Sequence, residues 1–224
     1  MRSKMMGFNI LTYFILFSVG FFGGFRYLKE LITPYLTGFF FNAEEVIYII
    51  IFIYFLIVFF PIWNDGLKNI KKIDMNEILT VQCVTGILGV IVMVMFKGLI
   101  KNGSTTIFDG SGVVNKILIV TVLAPIIEEL YCRSAVFFIL KNYIKVSDGI
   151  CLLISSLIFA LLHYKTLLEG NAYFVICYFL IYLFLGIGCS YLYLKTGNII
   201  SPIILHIIWN VYTIGGYLVE YYFD

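Results

Sequence analysis

Residues Ala124 to Arg133 read APIIEELYCR and put two adjacent carboxylates, Glu128 and Glu129, and one guanidinium inside a largely apolar run from Val113 to Leu140. A helix of that length crosses a bilayer, at ~1.5 Å per residue against a hydrocarbon core of ~30 Å. Ionised groups at mid-membrane cost at least ~2.5 kcal/mol each on insertion scales, so they face a protein interior or a wet cavity and have partners. Glu129 and Arg133 are four residues apart with the acid first, the favourable order for an intrahelical ion pair. Glu128 is turned about 100° from Glu129 on the helix wheel and points at something else.

Composition fixes the solvent. Of 224 residues, 62% are hydrophobic and 12% charged, against about 25% charged in soluble domains, so the chain is predicted to be an integral membrane protein. A net charge of +2, with no basic cluster interleaved with aromatics, excludes nucleic acid as a partner. The five cysteines (Cys83, Cys132, Cys151, Cys177, Cys189) all lie in apolar segments without a CxxC pair and read as packing residues.

The hydropathy pattern predicts an all-α, polytopic bundle of about seven membrane helices. The apolar run from Phe8 to Phe25 is too long for a signal-peptide core and is read as the first span. Glu44 to Trp63 and Ile78 to about Phe96 follow, then Val113 to Leu140, Ile150 to about Leu168, Tyr173 to Leu194 and Ile199 to Val219. A polar link from Lys97 to Gly112 divides one membrane domain into N-terminal helices (1–97) and a core (113–219), with no internal repeat. Eight Lys or Arg fall at the N-terminus and its alternate loops, against about six opposite, which predicts a cytoplasmic N-terminus.

Both histidines of the chain fall inside these spans. His163 ends the stretch FALLH, and His206 begins HIIWN, where Asn210 shares its helical face. Three helices therefore bring Glu128, His163, His206 and Asn210 to comparable depth, enough to line one polar pocket. Singly, each has an ordinary reading: a membrane histidine or asparagine bonds a neighbouring helix for ~0.6 kcal/mol, Glu129 with Arg133 is structural, and Phe159 and Trp209 are packing. The absence of any loop histidine favours the pocket.

The three motifs resemble those of the CAAX-processing and bacteriocin-processing intramembrane proteases, the Abi family: EELYCR fits EExxxR, FALLH fits FxxxH and HIIWN fits HxxxN, in the family's order and each on its own helix. The resemblance implies peptide-bond hydrolysis in the membrane. Glu128 would take a proton from a water held by His163, and His206 and Asn210 would donate hydrogen bonds to the oxyanion. Glu129 and Arg133 would orient the site from behind. No cofactor is favoured. The alternative is zinc on Glu128, His163 and His206, an acceptable ligand set, although HExxH is absent.

An Ile-, Phe- and Lys-rich, Ala-poor chain looks bacterial, from an AT-rich genome. The resemblance then implies a plasma-membrane protease acting on a membrane-associated peptide or protein, in bacteriocin immunity or peptide-signal processing. A non-catalytic scaffold or immunity protein of the same fold is the alternative, and retention of every motif residue argues against it. A proton-coupled transporter would need inverted repeats or broken helices at matching positions, which the sequence lacks.

Overall fold

In the computed structural model, residues 25–36, 42–100, 113–163 and 170–223 are described, and within them all regular structure is helical. The helices are α1 (Phe25–Ile32), α2 (Ala43–Val58), α3 (Phe60–Lys68), α4 (Met75–Phe96), α5 (113–144), α6 (Asp148–Leu162), α7 (Ala172–Thr196) and α8 (Ile200–Phe223). Their ends follow from local chemistry. Asn42 and Glu45 form a reciprocal capping box at the start of α2, Asp74 caps α4, and Asn171 caps α7. Gly197 closes α7 at φ +62°, a backbone conformation that favours glycine.

By length and composition, α4 and α7 are long and apolar enough to cross a membrane, and α2 with α3 makes a third if counted as one bent span. The expected run of about seven spans is changed in several places. The first span lies outside the described residues up to Phe25. The second is not one helix: the chain turns by 74° at Phe59, between α2 and α3. Pro61 lies in the first turn of α3, where its missing N–H is tolerated, whereas within a continuous helix it would break the ladder. The fifth is shorter than expected, because α6 ends at Leu162, and 164–169 lie outside the described residues.

Where the fourth span is expected, α5 winds for the whole of 113–144, but π-helical turns at Ile119–Leu123, Leu130–Val136 and Leu140–Ile144 interrupt its α-helical geometry. Pro125 accounts for the first. Its ring would clash with the carbonyl four residues back, and a looser turn relieves that clash. Glu128 sits near the middle of α5, twelve residues after Lys116 and thirteen before Lys141.

Helix α7 packs on α6 and on α4, and α8 packs on α7, α4 and α5. Two glycines let α7 come close to both neighbours. A Cβ on Gly186 would stand 3.1 Å from the backbone of Ser156 on α6, and one on Gly188 would stand 2.9 Å from the Thr85 side chain on α4. Such small-residue contacts are a usual way for apolar helices to approach in a bilayer. All five cysteines are free, and all but Cys83 are buried.

Candidate active site

The two adjacent glutamates have different surroundings. Glu129 is fully buried, with Oε2 3.0 Å from Arg133 Nε and Oε1 3.0 Å from His206 Nδ1. The Nε–H of Arg133 does not point along its 3.0 Å contact, so this is a Coulombic pair rather than a hydrogen bond. Arg133 is also fully buried. Its Nη2 donates to the Gly186 carbonyl at 3.0 Å, and its guanidinium lies 4.9 Å from the centre of the Phe159 ring. Glu128 keeps 22% of its side chain exposed, although its Oε2 is buried and has no hydrogen-bond partner.

Two imidazoles approach that oxygen. His163 Nε2 is 3.9 Å from Glu128 Oε2 and His206 Nε2 is 3.8 Å from it. The other ring nitrogens define the proton positions. His163 Nδ1 lies 3.0 Å from the Phe159 carbonyl, which can only accept, so Nδ1 carries the proton. His206 Nδ1 faces the Glu129 carboxylate in the same way. In their neutral forms both Nε2 atoms therefore present lone pairs toward Glu128. Two acceptors that each stand 3.8–3.9 Å from a third, too far to bond it, suit a proton-bearing species beside that oxygen, and a water with two O–H groups is the smallest that satisfies more than one.

The structure thus brings Glu128, His163 and His206 together, with Glu129 and Arg133 behind them. His163 caps α6 instead of lying in its interior, as the sequence had suggested. That position is useful: the last carbonyls of a helix have no partner within it, so Phe159 O is free to hold the imidazole. Asn210 has another partner. Its Nδ2 donates to the carbonyl of Val120 on α5 at 2.8 Å. If His206 donates toward a substrate from Nε2, it does so only when that nitrogen is protonated.

Two aromatic residues belong to the site beyond those expected to act there. Phe159 contacts both imidazoles, with ring centroids at 5.0 Å from His163 and 5.2 Å from His206, as well as Arg133. Its packing role is thus a role in the site. Tyr182 of α7 stacks on His163 at 3.9 Å with a 19° interplanar angle. Nothing in its sequence surroundings (FLIYLFL) separates it from the other tyrosines of that helix.

Two imidazoles and a carboxylate are the right donor types for zinc, and His206 has the carboxylate support that metal-bound histidines usually have. The spacing does not match. Tetrahedral ligands with bonds of ~2.0–2.1 Å are separated by roughly 3.3 Å, against 3.8 and 3.9 Å here. Among the described residues no set of three His, Cys, Asp or Glu stands at metal-ligand spacing.

Comparison with known proteins agrees with the motifs. Residues 110–212, a little under half of the chain, match the family model described as type II CAAX prenyl endopeptidase Rce1-like, and the match contains all three motif segments. No curated protein and no solved structure matches the chain.

Proposed function

We propose that the chain is a protease of the Rce1-like type II CAAX prenyl endopeptidase family, whose model it matches through residues 110–212, and that it cleaves a membrane-associated peptide within the bilayer by metal-free activation of water. The approach of His163 Nε2 and His206 Nε2 to the same oxygen of Glu128, at 3.9 and 3.8 Å, carries this reading. Glu128 takes a proton from the water as its oxygen attacks the scissile carbonyl, and later passes that proton to the departing nitrogen. His163, held by the Phe159 carbonyl and the Tyr182 ring, keeps the water in line. Asn210 donates to the oxyanion, joined by His206 when its Nε2 is protonated, with the Glu129 carboxylate as the counter-charge.

The full fold in this reading has about seven membrane helices, in which 1–97 flank a catalytic core of 113–219. The membrane is the bacterial plasma membrane with the N-terminus in the cytoplasm, and the substrates belong to bacteriocin immunity or peptide signalling. The test compares membrane-associated and secreted peptides from cells making the wild-type protein, Glu128→Gln and His163→Ala. New peptide termini that appear with the wild type and vanish with both variants, at equal amounts of folded protein, are the expected result. Termini that persist in either variant overturn the mechanism.

A further inference from the structure

We infer that Pro125 is a positioning residue whose missing N–H turns the Asn210 amide, so that the proline in the glutamate helix orients a donor on α8. The inference rests on the oxyanion role proposed for Asn210 and adds a cause for its orientation. In a regular helix the carbonyl of Val120 would receive the N–H of residue 124, and in a π turn that of residue 125. Neither is available. The N–H of Ala124 goes to the Ile119 carbonyl, and residue 125 is proline, which has none.

Val120 O is therefore left open inside a bundle of apolar helices, and the amide of Asn210 fills the vacancy at 2.8 Å. A carbonyl accepts and cannot donate, so it selects the NH₂ end of the side chain and fixes which end of the amide is nitrogen. One N–H is then used on Val120, and the other remains for a substrate. Asn210 lies one helical turn after His206 on α8, so the same contact also ties the His206 face of α8 to the first π turn of α5. Glu128 stands three residues beyond Pro125, and His206 holds its partner Glu129. The vacancy thus sets α8 against the helix that carries both glutamates.

The test is a double-variant cycle of Pro125→Ala and Asn210→Ala on the full-length protein in detergent, with two readouts. The first is thermal unfolding. In the wild-type background, Asn210→Ala leaves Val120 O unpaired and should lower Tm by about 3–8 °C. In the Pro125→Ala background the new N–H can serve Val120, so the same change should cost less than half as much. Equal losses in the two backgrounds overturn the proposal.

The second readout is kinetic, on an internally quenched peptide bearing an S-farnesylated cysteine followed by three residues. Asn210→Ala should lower kcat by roughly 10²- to 10³-fold with KM little changed. Pro125→Ala should lower kcat by about 10- to 100-fold in the same pattern, and the double variant should be no worse than Asn210→Ala alone. Independent, multiplying losses in kcat overturn the positioning role. Cleavage of this peptide that survives Glu128→Gln, or none by the wild type, would count against the catalytic reading or this substrate, and the unfolding cycle would still decide the linkage.

Discussion

Arg133→Met removes one charge from a pair that has no access to water and leaves the other behind. With Nε 3.0 Å from Glu129 Oε2 and both side chains fully buried, a unit-charge pair interacts by about 5–6 kcal/mol at an effective dielectric constant of about 20. Loss of one partner of a buried pair costs about 3–5 kcal/mol. The methionine keeps most of the stem volume, so little of this arises from a cavity, but the bond to the Gly186 carbonyl and the contact with the Phe159 ring are lost as well. Against a typical stability of about 5–15 kcal/mol, the variant should unfold about 10 °C or more below the wild type. Glu129→Gln combined with Arg133→Met removes both charges and keeps an oxygen for His206 Nδ1, and should regain at least half of the loss. The assay is thermal unfolding in detergent followed with a thiol-reactive dye, since Cys132, Cys151, Cys177 and Cys189 are buried and become reactive on unfolding. Arg133→Met unfolding within 2 °C of the wild type, a shift worth less than about 1 kcal/mol for a chain of this size, or a double variant less stable than the single, would refute the buried-pair argument.

Two further outcomes follow from the geometry. Gly186→Ala puts a methyl group 3.1 Å from the Ser156 backbone and 3.3 Å from the Phe159 ring, against which the Arg133 guanidinium also packs. It should destabilise the protein by about 1–3 kcal/mol, seen as a lower Tm, while Gly149→Ala, where a Cβ meets nothing within 4 Å, should leave Tm within a degree or two of the wild type. The metal-free mechanism predicts that detergent-purified protein contains no stoichiometric zinc by mass spectrometry and keeps its activity after chelation and dialysis; about one zinc per chain, lost and regained with activity, would recast Glu128, His163 and His206 as ligands.

The chemistry-bearing residues were legible in the sequence because their apolar setting makes them conspicuous. A charge among isoleucines has to be explained, and the i, i+4 spacing of Glu129 and Arg133 already named one partner. The link from His206 to Glu129 was not legible, since no local rule pairs residues 77 positions apart. Nor were the π turns of α5: Pro125 announces a disturbance in a helix, but whether the helix kinks, stops or widens depends on what packs against it. Asn210 shows this well. From sequence it is one polar residue a turn after a histidine, and only the helix facing it reveals the open carbonyl that it serves. Tyr182 lies in a helix whose apolar residues surround it on every side, so periodicity could not single it out.

The midpoint position of Glu128 on α5 bears on how a cleaved peptide departs. Lys116 and Lys141 stand about 18–20 Å away along the helix on either side, at ~1.5 Å per residue. In the proposed reaction, with α5 crossing the bilayer, hydrolysis beside Glu128 would replace a neutral amide by an amine and a carboxylic acid, which stay neutral at a depth where each ion costs at least ~2.5 kcal/mol. Each new terminus would ionise and gain solvation on moving toward a surface, so bond cleavage would itself favour product release, and religation would require both termini to give up their charges and return to the middle of the bilayer together.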